Sequence, residues 1–238
     1  MSLLKFFAIL FFDIIDQIIH QRKILKFIKE QKTNINLFID VGSHKGTYTD
    51  LIINNFKTKK ILMFEPQKNI FNFIKKKYEG IKKVKIFNNV VSNTLKMQTI
   101  HINKHDLTSS LTKLNKKNKY LNIKAKLFGG DLNEMTTNSY KIKSLKLRNI
   151  IKKNKYKKID LLKVDTEGHE LQVLLGLGKY IKNVDYLLIE FHSDKIYLNY
   201  QPKKIHSYLI KNKFVLKKIF KFPFTTWEDR IYLNKDLK

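Results

Sequence analysis

Residues 37–46, Leu-Phe-Ile-Asp-Val-Gly-Ser-His-Lys-Gly, constrain the fold more than any other part of the chain. An apolar run leads directly into Asp-Val-Gly, a second glycine follows four residues later, and residues 47–53 place apolar positions at helical spacing. A strand, a tight glycine turn and a helix are how an open parallel sheet begins a nucleotide-type site. Glycines let the backbone approach a ligand closely, and the helix N-terminus offers free N–H groups. The alternative is a strand-to-helix turn that binds no ligand.

A second apolar run, residues 60–64, ends at Glu65 and Pro66. Glu65 follows Gly46 at close to the roughly 20-residue offset at which a carboxylate meets the ribose hydroxyls in nucleotide-binding folds. A buried strand seldom ends in a carboxylate that has no partner. The two signals together predict an adenosine-type ligand. The glycine pattern is not G-x-G-x-x-G, because His44 occupies the middle position, and Asp40-x-Gly42-x-x-x-Gly46 instead resembles the first motif of S-adenosylmethionine-dependent methyltransferases.

The charge of the chain raises the question of a nucleic-acid partner. The net charge is +28, but only Arg22, Arg148 and Arg230 are arginines and the remaining basic residues are lysines. Base readout and bidentate phosphate contacts favour the planar fork of arginine. We therefore interpret the lysine excess as a composition bias and do not expect nucleic acid as the partner. The chain has no cysteine, which excludes disulfides and thiolate metal sites.

The N-terminal residues are apolar, but Asp13, Asp16 and Gln17 interrupt them well before the roughly 20 residues that a membrane span needs. Apolar positions then recur at helical spacing up to Ile28. We predict a helical extension over residues 1–33 and a catalytic domain over residues 34–238. We expect a cytoplasmic protein, and the alternative is an amphipathic arm (residues 1–30) that contacts the inner face of the membrane.

Strand and helix patterns alternate after residue 36, which predicts an α/β fold with a mainly parallel sheet and helices on both faces. Residues 84–91 read as the third strand and residues 97–102 as a half-exposed strand. The polar, lysine-rich residues 103–137 read as an insertion, and loops of that length commonly form lids or substrate loops.

The second informative segment is residues 159–170, Ile-Asp-Leu-Leu-Lys-Val-Asp-Thr-Glu-Gly-His-Glu. A buried strand again ends in an acid and a glycine, and the ionisable groups Asp165, Glu167, His169 and Glu170 crowd its C-terminal end. In open α/β sheets ligands bind at that edge. The next strand ends at Glu190 and His192. Asp165, Glu190 and His192 could together hold a divalent metal, but nothing in their spacing requires one, and we predict no metal.

These segments resemble the FkbM-type methyltransferases over roughly residues 36–192. The similarity rests on residues 38–46, Phe64-Glu65-Pro66, Ser109-Ser110-Leu111, residues 159–170 and Ile189-Glu190-Phe191. The resemblance implies a Rossmann-like class I methyltransferase fold that binds S-adenosylmethionine and O-methylates a sugar, a glycolipid precursor or another small hydroxylated molecule. It also implies a role among enzymes of polysaccharide or natural-product assembly. Two positions depart from the family pattern: His44 replaces the usual Asn, and Lys146 stands where Thr-Leu-Asp would place an acid.

The resemblance implies cofactor-binding and catalytic roles for the residues at the strand ends. We expect Asp40, Gly42, Ser43 and Gly46 to form the turn beside the methionine part of the cofactor, with Asp40 ordering the turn or touching the amino end. Glu65 should accept hydrogen bonds from the ribose. The remaining candidates are Asn89, Val91 and Ser92 beside the adenine, Asp165 facing the methyl group, and Glu167 or His169 as the base that accepts the hydroxyl proton.

Two other classes of function compete with this interpretation. An RNA methyltransferase would share the cofactor site, but the chain lacks the Asn-Pro-Pro-aromatic motif often used for base methylation and has few arginines. A non-catalytic protein could use a methyltransferase fold and its basic surface to hold an anionic glycan or lipid. The presence of Glu65 and Asp165 favours an enzyme.

Overall fold

The structure is a computed structural model that describes residues 19–103, 109–118, 121–122, 136–192, 196–223 and 225–237. The strands are β1 Leu37–Val41, β2 Lys60–Phe64, β3 Val84–Phe87, β4 Val90–Val91, β5 Met97–Asn103, β6 Thr136–Leu145, β7 Ile159–Val164, β8 Val184–His192, β9 Phe214–Lys221 and β10 Trp227–Asn234. The α-helices are α1 Gln21–Gln31, α2 Thr47–Asn55, α3 Lys68–Lys77, α4 Leu147–Asn154, α5 Glu170–Leu177 and α6 Pro202–Lys211.

A seven-stranded sheet with the order β3-β2-β1-β7-β8-β10-β9 organises the fold. Strands β3, β2, β1, β7 and β8 pair in parallel, whereas β10 runs antiparallel to both of its neighbours. The strand order reverses between β1 and β7, which is the position where open α/β sheets bind ligands. Val41 lies opposite both Phe64 and Val164, so the residues that follow these three strands meet at one edge. The predicted mainly parallel sheet is confirmed.

Helices cover both faces of the sheet, as the apolar periodicity predicts. On one face, buried residues of α4, α5 and α6 such as Ile151, Leu174 and Leu209 join the sheet in one hydrophobic cluster. On the other face, Ile28, Ile52 and other residues of α1, α2 and α3 form the second cluster. Each helix therefore buries one apolar stripe against the strands, which gives a three-layer α/β/α arrangement.

Helix α1 packs on the sheet through its apolar positions. Ile24 and Ile28 are buried, and the Lys32 ammonium just after the helix donates to Asp160 (3.1 Å) and to Asp185 at the starts of β7 and β8. The apolar face of this helix is thus used within the protein. Residues 1–18, the rest of the proposed membrane arm, lie outside the described residues. Among the described helices, none has the length and apolar character needed to cross a bilayer.

The prediction of one strand over residues 84–91 is wrong. Strand β3 ends at Phe87, and β4 belongs to a separate three-stranded sheet with the order β4-β6-β5. The Asn88 side chain donates to the backbone carbonyls of Glu65 (2.9 Å) and Pro66 (3.0 Å), which holds the chain where it leaves the main sheet. Hydrophobic periodicity does not reveal such a change of sheet, because both short strands are apolar.

The predicted insertion connects the two strands of an antiparallel hairpin, β5 and β6. Strand β6 begins at Thr136, inside the segment that we assigned to the insertion. Within the insertion the structure describes residues 109–118 and 121–122. The first of these segments pairs with residues 196–198: the Asn115 amide donates to the Ile196 carbonyl (2.7 Å) and the Leu198 amide to the Lys113 carbonyl (2.9 Å). This contact brings residues 113–115 next to the C-terminal end of β8.

Candidate active site

The glycine turn after β1 is fixed by the neighbouring strands. The amides of Gly42 and Ser43 both donate to the Phe64 carbonyl, at 3.0 and 3.2 Å. Gly42 and Gly46 have φ angles of 79° and 81°, in the left-handed region that favours glycine. A Cβ atom at Gly42 would lie 1.7 Å from the Asp165 carbonyl oxygen, and one at Gly46 would lie 2.3 Å from the Tyr78 hydroxyl. The protein's own packing therefore requires both glycines, in addition to the ligand approach that the sequence suggests.

Asp40 is buried beneath this turn. Its Oδ2 accepts a hydrogen bond from the Thr49 hydroxyl (2.8 Å), and its Oδ1 lies 4.0 Å from the Lys163 ammonium. Burial raises the pKa of Asp40, and the Lys163 charge and the Thr49 hydrogen bond oppose that shift. Asp40 thus links the end of β1 to the first turn of α2, which favours the role of ordering the turn.

Glu65 is held at the end of β2 by two backbone amides. Its Oε2 accepts from the His44 amide (2.9 Å) and its Oε1 from the Gln67 amide (2.7 Å). Burial raises the pKa of Glu65 to about 7, although both hydrogen bonds lower it. His44 itself has a φ of 44°, a left-handed conformation that Asn adopts more readily than other non-glycine residues. The turn therefore keeps its shape with histidine at this position.

The three candidates for the adenine side lie on or beside β4 instead of at the end of β3. The Asn89 side chain donates to the Lys143 carbonyl (3.0 Å), Val91 pairs with Leu145, and Ser92 is 1% exposed. Contact of these residues with the adenine stays a prediction. Of this stretch, Asn88 follows β3 directly and bonds to the backbone of Glu65.

Asp165 and Lys163 form an ion pair at the end of β7. The Lys163 ammonium donates to Asp165 Oδ2 at 2.9 Å, and the Lys163 side chain is only 4% exposed. Burial opposes ionisation of Asp165, but the charge and the hydrogen bond of Lys163 outweigh burial and lower its pKa. The Asp165 side chain remains 33% exposed. It is therefore an ionised carboxylate that a ligand can reach, next to the glycine turn.

Glu167, Glu190 and His192 gather beside Asp165. The His192 Nε2 atom lies 3.1 Å from Glu190 Oε2 and 3.7 Å from Glu167 Oε2. The charge of Asp165 acts on Glu190, and the Tyr197 hydroxyl donates to Glu167. Burial raises the pKa of Glu167 to about 8 and that of Glu190 well above its ordinary value, and the neighbouring carboxylates add to both shifts. We name Asp165, Glu167, Glu190 and His192 the acidic cluster.

His169 and Glu170 hold the start of helix α5. Glu170 Oε1 accepts from the Thr166 amide (3.1 Å), the Thr166 hydroxyl (3.1 Å) and the Gly168 amide (3.0 Å), which keeps Glu167 at a φ of 55°. The His169 Nε2 atom forms a hydrogen bond with the Ser92 hydroxyl (3.1 Å). Burial lowers the pKa of the His169 imidazole to about 4. Its bonding partner thus lies on the β4 side of the fold, and a role of His169 as base stays a prediction.

Residues 109–118 form one wall of the acidic cluster. The Ser110 hydroxyl donates to the Glu167 carbonyl and the Thr112 hydroxyl to the Gly168 carbonyl (3.2 Å). Tyr197 fills the space above Gly168, because a Cβ atom there would lie 2.7 Å from the Tyr197 ring. The Ser-Ser-Leu motif of the sequence therefore supports the turn that presents Glu167.

Sequence reasoning assigned no role to Lys163 or Tyr197, although both contact the proposed catalytic acids. A signal for Lys163 exists: it interrupts an otherwise apolar run, and lysine is almost never buried without a charged partner. No such signal exists for Tyr197, because it lies in an irregular segment after β8. Its contact with Glu167 spans 30 residues of chain and has no periodicity.

Comparisons with known proteins agree with this geometry. The family model of the Methyltransferase FkbM domain matches residues 40–216. The hexuronic acid methyltransferase AglP of Haloferax volcanii is 33% identical over 58 residues, which are 24% of this chain and 24% of AglP. The FkbM methyltransferase structure from Methylobacillus flagellatus has a TM-score of 0.53 at 12% identity, over 84% of this chain and 44% of that one.

An rRNA methylase structure from Streptococcus thermophilus has a TM-score of 0.50 at 10% identity and covers 90% of this chain and 96% of that one. At such identities the two structures share the fold with this chain, and the likeness carries no substrate information. The family match, in contrast, covers the glycine turn, Glu65 and the whole acidic cluster. The chain therefore belongs to the FkbM methyltransferase family, and its cofactor is S-adenosylmethionine.

Proposed function

We propose that this methyltransferase transfers the methyl group to a hydroxyl of a sugar or of a glycan precursor. The observation that carries the proposal is the contact between Gly42 and the Asp165 carbonyl oxygen, which sets the acidic cluster directly beside the cofactor turn. The Asp165 amide also donates to the Val41 carbonyl (3.0 Å), so backbone atoms fix the two halves of the site against each other. Such fixed alignment is the main requirement for a displacement between two bound reactants.

The residues of the glycine turn fit an adenosine cofactor. Glu65 has a second lone pair on each carboxylate oxygen, beyond those used by the His44 and Gln67 amides, and ribose hydroxyls could donate to them. The buried Ser43 hydroxyl has no hydrogen-bond partner among the described residues, so it is available to a ligand. When bound, S-adenosylmethionine supplies a methyl group on a positively charged sulfur.

The acidic cluster suits a hydroxyl acceptor. As the acceptor oxygen forms its bond to the methyl carbon and the carbon–sulfur bond breaks, the hydroxyl must release its proton. Asp165 is exposed enough to accept a hydrogen bond from that hydroxyl, and Lys163 holds its carboxylate in place. Glu167, in its ionised form, could then receive the proton. The side chain of Asp165 thus orients the oxygen that attacks.

A sugar is the acceptor class that we favour. The similarity to AglP over 58 residues supports it, because AglP is a hexuronic acid methyltransferase. The net charge of +28 would also attract an acceptor that carries carboxylate or phosphate groups, such as a uronic acid or a nucleotide sugar. A lysine-rich surface provides this attraction without requiring base readout.

The proposal can be tested with purified protein and S-adenosylmethionine that carries an isotopically labelled methyl group. Nucleotide-linked hexoses, nucleotide-linked uronic acids and total RNA serve as separate acceptors. We expect labelled product with the sugars and none with RNA, and we expect the label to survive mild alkali, because a methyl ether is stable where a methyl ester is hydrolysed.

Two results would contradict the proposal. An alkali-labile product would place the methyl group on a carboxylate instead of a hydroxyl. Labelled RNA without labelled sugar would favour the RNA methyltransferase alternative. The Glu65→Ala variant serves as the control for background transfer, because it retains the acidic cluster and loses the ribose contact.

A further inference from the structure

We propose that Glu167, Glu190 and His192 bind a divalent cation of the Mn²⁺ class, each through one carboxylate oxygen or ring nitrogen. One ligand atom of each side chain, a carboxylate oxygen or a ring nitrogen, lies within 4.8 Å of the ligand atoms of the other two. With metal–ligand distances of about 2.1 Å, octahedral coordination places adjacent ligand atoms about 3.0 Å apart and opposite ones about 4.2 Å apart. The separations of 3.1 and 3.7 Å from His192 Nε2 lie in this range.

His192 gives an independent indication of a missing ligand. It is 5% exposed, and neither of its ring nitrogens forms a hydrogen bond with a described residue. A buried imidazole without hydrogen bonds is costly, so such groups normally have a partner. The Nε2 atom faces both carboxylates, and the rings of Tyr197 and Tyr200 pack edge-on against the imidazole, with centroid distances of 5.2 and 5.7 Å. The ring is therefore held in the orientation that a ligand would use.

The charges around the cluster also favour a cation. Lys163 bonds to Asp165 and faces Asp40, so its single charge already has two carboxylate partners. Among the described residues, no lysine or arginine forms an ion pair with Glu167 or Glu190, and both face His192. Carboxylates alone suit Mg²⁺ or Ca²⁺, whereas the imidazole shifts the preference toward Mn²⁺ or Zn²⁺. The Tyr197 hydroxyl, which donates to Glu167, would orient that ligand.

Three protein ligands would leave further coordination positions of the cation open. A bound cation there could take two neighbouring oxygens of a sugar and make the attacking hydroxyl more acidic. This catalytic part of the inference rests on the proposed function. The binding of the cation does not, because it requires only the three side chains.

The experiment uses the full chain after treatment with a chelator, and titrates it with Mn²⁺ alone. Electron paramagnetic resonance of free Mn²⁺ reports binding without any enzyme assay. We expect one Mn²⁺ per chain, and we expect Glu190→Gln and His192→Asn each to weaken binding by about tenfold or more. The net charge of +28 repels free cations, so non-specific binding should be small.

Glu228→Gln is the matched control, because it also removes one carboxylate close to β8. Glu228 lies on β10, the strand next to β8, and is opposite Phe191. It should bind Mn²⁺ like the unaltered chain. Circular dichroism and S-adenosylmethionine binding show whether each variant is folded. Absence of Mn²⁺ binding in a folded chain that binds S-adenosylmethionine, or binding that survives both ligand variants, would overturn the metal site. Mn²⁺ binding with no transfer to any hydroxyl acceptor would instead contradict the proposed function and leave the metal site intact.

Discussion

The carbonyl oxygen of Asp165 occupies the position from which a side chain on Gly42 would begin, 1.7 Å from the ideal Cβ. A methyl group at position 42 would therefore push β1 and β7 apart at the edge where both halves of the site meet. We expect Gly42→Ala to lower the melting temperature strongly and to abolish cofactor binding, because the turn cannot keep its hydrogen bonds to Phe64. Thermal unfolding and calorimetry measure the two effects.

Gly80→Ala is the control for this prediction. Gly80 has nearly the same φ, 78°, but nothing lies within 4 Å of its ideal Cβ. The control should show only the cost of a left-handed alanine, about 1–2 kcal/mol. Equal losses in the two variants would show that the contact with Asp165 has no energetic importance.

Glu65→Ala should weaken S-adenosylmethionine binding by about 1–3 kcal/mol, the cost of losing a charged hydrogen-bond partner. It also leaves the His44 and Gln67 amides without their acceptor, so stability should fall as well. Isothermal titration calorimetry of variant and parent at equal temperature measures the binding term. Unchanged affinity in a folded variant would remove Glu65 from the cofactor site.

The raised pKa of Glu65 predicts that binding and stability respond to pH in opposite directions. Between pH 6 and pH 8 a carboxyl with a pKa of about 7 becomes ionised, so cofactor affinity should rise by about tenfold. Stability changes the other way: the folded state holds a proton that the unfolded state has already lost. Unfolding free energy should therefore fall, by about 3 kcal/mol in all, as the pH rises from the unfolded pKa near 4.5 to the folded pKa near 7.

Glu65→Gln tests whether Glu65 causes the pH dependence of cofactor affinity and of the unfolding free energy. Its side chain cannot ionise, so it should flatten the Glu65 contribution to the pH dependence of binding and of unfolding. Slopes that persist unchanged in this variant would have to come from another group.

Lys146→Asp should stabilise the protein. Lys146 is the N-cap of helix α4, has extended backbone angles, and makes no side-chain capping bond. An aspartate there could accept a hydrogen bond from the free amides of the first turn and interact favourably with the helix dipole, which is worth about 0.5–2 kcal/mol. The acid that the family commonly has at this position would then serve the helix and not the substrate.

Lys153→Asp, in the last turn of the same helix, is the control because it makes the same charge change. This variant should lower stability, and chemical denaturation measures the stability of both variants.

Asp165→Asn should reduce turnover by about 10²-fold or more while cofactor affinity stays nearly unchanged, if Asp165 orients the acceptor hydroxyl. The buried Lys163 would keep Asp40 as a charged neighbour, so the variant should fold. Turnover, affinity and melting temperature are measured on the same preparation. A joint loss of all three would assign Asp165 a structural role, and full activity would remove it from the mechanism.

The arrangement of the proposed cofactor residues could be predicted from the sequence because these residues follow directly after strands. Apolar periodicity locates the ends of β1 and β2, and parallel pairing brings Asp40, Gly42 and Glu65 to one edge. The same reasoning placed Asp165, Glu190 and His192 together, and the structure confirms that they lie side by side. The same reasoning does not predict the partner of His169, because its hydrogen bond to Ser92 depends on the position of β4.

The surroundings of the acidic cluster could be predicted only in part, because loop contacts carry no periodic signal. The contact between Ser110 and Glu167 joins residues 57 positions apart, and neither lies in a strand of the main sheet. The position of β4 also escaped prediction, since two asparagines between two apolar runs do not reveal which sheet the second run joins. Side-chain hydrogen bonds to backbone carbonyls, from Asn88 to Glu65 and from Ser110 to Glu167, fix these two parts of the structure. Such bonds form only in the complete fold.

The wall formed by residues 109–118 has a consequence for the order in which the chain folds. Its contacts reach forward to residues 167–168 and 196–198, so they close long loops and must wait for β7 and β8 to pair. During synthesis, the glycine turn and Glu65 leave the ribosome more than a hundred residues before residues 196–198, the last partners of that wall. The wall beside the acidic cluster is thus the last part of the candidate active site to be assembled, and in a nascent chain that stops before β8 it lacks its partners at residues 196–198.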